Sequence, residues 1–281
     1  IQDLSGTLTT IVNTGRIAAA ATTLDNGTQK IVAVDLSHGT GNQTFQNNGI
    51  VVGDVLFGSG SNQLTISGSA AAVVNGAVLK GNGTLGIQVS ADGTGGILQT
   101  SNTRATTLAV GTNGEVKFTI DKNTTTAPLI ATTGATSFAA STGMAVTPTT
   151  FLPTSQVYTL VSTDASGALH MTEPSATTAI AVPYMYKGTV TCDNAACGVD
   201  AGDFQNLKLT LVRKTASELG LTGNSARIYN ALGDAVLGDD AYGAALLGLT
   251  NAGQVQTSIE SVVPDIAGGM RALSVAMTDQ A

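Results

Sequence analysis

Apolar residues in this chain come as short strings of Val, Ile and Leu, separated by Thr, Ser, Asn and Gly. Up to about residue 150 the strings predict strands at 31–34, 49–57, 63–66, 72–74, 77–79, 85–89, 108–110 and 115–120. Between them lie Asn47-Asn48-Gly49, Asn75-Gly76, Gly81-Asn82-Gly83, Asp92-Gly93 and Asn113-Gly114. Asn-Gly and Asp-Gly supply the positive φ that tight turns require. Strands this short and frequent predict coils of about 20 residues, imperfectly repeated. The expected fold is mainly β: a right-handed parallel β-helix (solenoid), whose coils stack at about 4.8 Å with inward Val, Ile and Leu in ladders. Asn and Thr at the turns stack on their own kind. A meandering β-sandwich is the rival architecture, disfavoured because the turns are so uniform in composition.

The pattern changes near Thr150. Five of six prolines (Pro148, Pro153, Pro174, Pro183 and Pro264) lie from Pro148 onward, and longer strands are predicted at 156–161, 183–190 and 207–212. Tyr158, Tyr184 and Tyr186 add aromatic bulk. Such a segment suits a β-rich cap over 150–213 that hides the last coil and blunts its strand edge. From about residue 214 helical signals replace strand signals. Asn224 is expected to cap a helix carrying Ile228 and Leu232, Asp239 or Asp240 an Ala-rich helix through Leu247, and Asn251 one carrying Val255, Ile259 and Val262. Pro264-Asp265 starts a last helix with a stripe of Ile266, Met270, Leu273 and Met277. The expected divisions are 1–149 solenoid, 150–213 cap and 214–281 helical linker.

Composition narrows the functions. The chain has 281 residues, 12 basic and 19 acidic side chains, and a net charge of −7. No basic patch displaces counterions from phosphates, so no nucleic-acid partner is expected. Aromatics are 4% and Trp is absent, which leaves few platforms for stacking bases or sugars. A hydrophobic fraction of 42% is too high for a disordered chain. The first residues carry no initiator Met and no signal peptide, as a fragment or a mature segment would read. Cys192 and Cys197 are the only cysteines, with four residues between them. Zinc would need a second ligand pair and a thioredoxin-like site two intervening residues, so the favoured reading is a local disulfide worth about 2 kcal/mol. A reduced, inert pair is the alternative.

The order of parts resembles the carboxy-terminal portion of an autotransporter (type V secretion) passenger. The local matches are Gly81-Asn82-Gly83-Thr84-Leu85-Gly86, the strand Val157-Tyr158-Thr159-Leu160-Val161, and the run LKLTLVRKTASELGL from Leu207 to Leu221 with TGNSARIYNAL after it. The last is the most specific, and the resemblance covers most of the chain. It implies that the cap is an autochaperone region that nucleates folding, with Val157, Leu160, Leu209 and Leu211 as the nucleus. It implies an outer-membrane β-barrel translocator as partner during secretion and a bacterial cell-surface or extracellular location. No barrel strands follow before Ala281. The expected function is that of a non-enzymatic surface protein for adhesion or display, meeting a host or neighbouring-cell surface. The alternative is a self-assembling subunit of an extracellular layer, fibre or filament, whose partner is itself.

Catalytic, cofactor and metal sites are expected to be absent. Gly81 to Gly86 fits the dinucleotide pattern GxGxxG, but that pattern must open a helix, and Ile87-Gln88-Val89 alternates like a strand. Gly53-Asp54-Val55-Leu56 is similar to the GDSL signature of passenger esterases, with Val55 in place of the nucleophilic serine. His38 and His170 have no patterned Ser or Asp companion. Asp200 with Asp203, or Asp239 with Asp240, offers carboxylates to calcium, though the glycine-rich nonapeptide that would complete such a site is missing. An Asp pair serves a helix N-terminus equally well.

Overall fold

A computed structural model of the chain describes residues 1–23, 29–68, 71–124, 127–139, 141–164, 169–171, 180–193, 204–232 and 239–261. Its principal strands fall into three sheets that the chain visits in rotation. The first sheet stacks Thr10–Asn13, Thr44–Asn47, Ser61–Ile66, Thr84–Val89, Thr107–Val110, Thr136–Phe138 and Leu169–Met171. The second stacks Arg16–Ala18, Ile50–Val52, Val73–Asn75, Gly96–Thr100, Gly114–Ile120, Gly143–Pro148 and Ile180–Ala181. The third stacks Val32–Asp35, Asp54–Leu56, Val78–Leu79, Thr103–Ala105, Ile130–Thr132 and Ser155–Thr163. All these pairings are parallel, so the molecule is mainly β and consistent with a β-helix-like fold.

Strand alternation turns every second side chain inward. Ile11, Phe45, Leu64, Ile87 and Leu108 occupy one register line of the first sheet. Val51, Val74, Leu98, Val116 and Met144 do so in the second. All ten are buried, and each such apolar side chain contributes about 1.5–3 kcal/mol by leaving water. Between coils the spacing is near the expected length in the middle of the stack. Ser61 bonds to Asn42, 19 residues earlier, and Thr84 to Ser61, 23 earlier. The first coil is longer, with Asn13 bonded to Asn47, 34 residues away. It contains an added antiparallel hairpin of Thr22–Thr23 with Gln29–Lys30.

Corners explain what hydropathy left out. The expected strand at 49–57 is two strands, because Gly53 at φ +122° turns the chain from the second sheet into the third. The polar strand Thr44–Asn47 ends in a fully buried asparagine. Asn13 Nδ2 donates to Asn47 Oδ1 at 2.7 Å, and Asn47 Nδ2 donates to the carbonyls of Gly49 (2.9 Å) and Val73 (3.0 Å). The amide thus occupies backbone oxygens that a bend would otherwise leave bare.

At the carboxy end the stacking runs on past Thr150, with Leu169–Met171 on Thr136–Phe138 and Ile180–Ala181 on Gly143–Pro148. In the third sheet the next position is taken by Asn206–Arg213, which runs antiparallel to Ser155–Thr163, and Tyr186–Cys192 pairs antiparallel beyond it. Three short helices follow among the described residues: Gly223–Leu232, Asp240–Leu247 and Ala252–Ser261. Asp239 caps the second through Tyr242 N, and Asn251 caps the third through Gln254 N. Asn224 lies inside the first helix instead of capping it, because Ala226 N already bonds to Thr222 O. The helix expected from Pro264 lies outside the described residues, as do Val262, Pro174, Cys197, Asp200 and Asp203.

Candidate functional surfaces

The end of the stack is built from aromatic and long aliphatic residues. Tyr158, Leu160, Met185, Tyr186, Leu207, Leu209 and Leu211 are all buried. The Tyr186 hydroxyl accepts from Leu152 N at 2.8 Å and donates to Leu152 O at 3.3 Å, and its ring centroid is 5.7 Å from that of Phe151. Burial pushes its phenol well above the ordinary range. Tyr158 is equally buried and shifted the same way, by desolvation and then by the charge of Asp121, yet its hydroxyl has no partner among the described residues. The Arg213 guanidinium lies 5.8 Å from the Phe151 ring and 5.9 Å from that of Tyr229, whose hydroxyl donates to Lys214 O. The first helix is thereby tied to the last strand.

Of the four expected nucleus residues, Leu160, Leu209 and Leu211 face the core, whereas Val157 is half exposed, in register with Thr210. Tyr158, beside it, is the residue of that segment that fills the interior. Cys192 is buried at the end of Tyr186–Cys192 and is disulfide-bonded. Its only possible partner within the chain, Cys197, lies outside the described residues.

The residues weighed for chemistry sit apart from one another. Val55 points into the core and is fully buried, so the Gly53-Asp54-Val55-Leu56 segment presents no side chain where an esterase holds its serine. Gly81-Asn82-Gly83 leads into the strand Thr84–Val89 instead of a helix. A Cβ on Gly83 would overlap the carbonyls of Gly60 and Ser59 one coil below, so close coil stacking accounts for that glycine without a phosphate. His38 is exposed at a corner, and His170 lies in strand register with Ser137. Among the described residues no group of three His, Cys, Asp or Glu gathers to hold a metal ion. The Asp3 carboxylate is consumed locally: Ser5 Oγ, then the amides of Leu8, Gly6 and Ser5, bond to it and hold its pKa below the ordinary value.

Two surfaces among the described residues bear on function. A groove of about 500 Å³ separates the last coils of the second sheet (Ala145, Pro148, Ala181 and Pro183, with Tyr184) from Leu247 and Leu249 of the helical segment. The outer face of the first sheet is the other, and sequence reading passed over it because its signal is a lack of charge. No described helix is long and apolar enough to cross a membrane. No family model, curated protein or solved structure matches the chain.

Proposed function

We propose that this chain is a non-enzymatic, exported cell-surface protein: the stem and autochaperone region of an autotransporter passenger, folded as a right-handed parallel β-helix. The handedness follows the rule that crossovers between parallel strands of one sheet are right-handed. One observation carries the reading. The parallel stack ends in two antiparallel strands, Asn206–Arg213 and Tyr186–Cys192, laid on its last long strand and backed by aromatics. An end of this kind interrupts the parallel stacking of the third sheet and offers an antiparallel template on which a solenoid can grow coil by coil. The run from Leu207 to Leu221, which resembles the autochaperone region, forms this strand and the turn after it, with Leu219 and Leu221 buried.

In this reading the protein meets an outer-membrane barrel during export and presents its coils to a host or neighbouring cell. Protease added to intact cells that produce the protein should cut it without lysis. Cleavage that appears only after lysis overturns the surface assignment. Hydrogen exchange on the whole chain tests the autochaperone role: protection in Ser155–Thr163 and Asn206–Arg213 should form before protection in Thr44–Asn47 during refolding. The reverse order overturns it.

A further inference from the structure

The three sheets differ in what they show to solvent. The second carries Arg16, Glu115 and Lys117 in its strands, with Glu115 and Lys117 paired at 3.3 Å. The third carries Asp35, Asp54, Arg104, Lys187, Lys208 and Arg213. The seven strands of the first sheet contain no Asp, Glu, Lys or Arg at all. Its outward rows are Thr10, Thr44, Gln63, Gly86 and Thr107, and beside them Val12, Gln46, Thr65, Gln88, Ala109 and Ser137. Val12, at 57% exposure, is one of the most open apolar side chains in the described chain. Pairing in this sheet shows no register shift, whereas the third sheet is interrupted at Val32/Val34 and Thr159/Val161. The face is therefore regular as well as neutral.

We propose that the outer face of the first sheet is where a second copy of this chain docks, face to face about a two-fold axis. The proposal goes beyond the passenger reading and does not rest on it. Three features favour a copy over other occupants. Each chain carries −7 overall, so two copies approach with least repulsion through a face that holds none of that charge. Amide and hydroxyl side chains both donate and accept, so rows of Gln and Thr complement themselves across a two-fold axis, which rows of fixed charges do not. A sugar polymer would want aromatic platforms, and these rows hold none. The face measures about 30 Å by 13 Å, from strand spacing and rise. That is about 400 Å² on each partner, half of what a standard stable interface covers. The contact is therefore weak in dilute solution and strengthens when chains are held side by side at high local concentration.

Sedimentation of the full chain over about 10 μM to about 1 mM, the range a contact of this size requires, tests this. A reversible monomer–dimer shift is expected, not weakened by added salt, because no ion pair crosses the face and salt screens the repulsion between two chains of −7 each. Gln46→Glu with Gln88→Glu should weaken association about tenfold or more, as should the double Lys variant, and mixing the two should restore a heterodimer. Both positions are exposed, so circular dichroism and the thermal midpoint should stay at wild-type values. A wild-type chain that stays monomeric throughout overturns the proposal, as does failure of the mixture to recover. Equal weakening by Lys117→Glu on the second sheet also overturns it, because the contact would then lie elsewhere.

Discussion

The middle of the stack and its carboxy end solve the same problem, burial of a strand, with different chemistry. In the middle, coils meet through ladders of aliphatic residues with Phe45, Phe57, Phe118 and Phe138 and through close backbone contacts at the corners, and buried Asn13, Asn47 and Asn62 bond to the backbone there. At the end, strands run antiparallel and the space fills with Tyr158, Tyr186, Phe151 and Met185. A repeating unit must match the coils above and below it, so inward side chains in shared register lines suffice. A terminal unit must match on one side only and must refuse a partner on the other. Reversed strand direction and buried tyrosines mark that end here.

The largest effect should come from the end. Leu209→Ala removes a fully buried side chain and should cost about 2–5 kcal/mol by denaturant unfolding. Leu64→Ala in the middle should cost a similar amount, so rates separate the two. If the end nucleates folding, Leu209→Ala slows refolding while Leu64→Ala mainly speeds unfolding. Identical kinetic signatures would erase the distinction between the regions.

Corner packing makes the next test. A Cβ on Gly60 would overlap the carbonyl of Gly41, so Gly60→Ala should destabilise by about 1–3 kcal/mol. Gly41 itself has open space around its Cβ position, and Gly41→Ala should be nearly neutral. The paired thermal midpoints check this.

The two buried tyrosines divide the aromatic end more finely. Tyr186→Phe strands the buried Leu152 amide and should cost about 1–3 kcal/mol. Tyr158→Phe deletes a hydroxyl that bonds to nothing described and should be neutral or slightly stabilising. A loss at Tyr158 as large as that at Tyr186 would mean that its hydroxyl is satisfied after all.

The smallest effect is electrostatic. A hydrogen bond from Lys187, then the amide and hydroxyl of Thr215, pull the Glu218 carboxyl down to about 2 from 4.5. A folded pKa below the unfolded value gives a stabilisation that is present above about 4.5 and fades as pH falls toward about 2. Glu218→Gln should flatten that acid limb of the stability profile. The pair is exposed, so the change at neutral pH should be small.

Strands with apolar runs were readable from sequence, and Leu85 to Val89 or Glu115 to Ile120 match the structure to within a residue or so. Thr44–Asn47 and Thr103–Ala105 were not, because their inward positions include Asn47 and Thr103, polar residues that a hydropathy pattern places outside. Asn47 finds Asn13 and Val73, 34 and 26 residues away and beyond any local window, whereas the Thr103 hydroxyl bonds to Thr100. The caps at Asp239 and Asn251 were legible because capping is a three-residue matter. The candidate docking face was invisible for another reason. Its residues are scattered over more than a hundred positions, and only the stacking order reveals that the charge-free strands share one wall.

Rotation through three sheets also decides how the molecule answers tension. Each inner coil is fastened to the one before and the one after. A pull on one end of the stack loads a single coil's ladder while those behind it stay slack. The chain should therefore lengthen in steps, each releasing about 20 residues or about 70 Å of extended backbone. A stack of this kind yields gradually to load instead of failing at once.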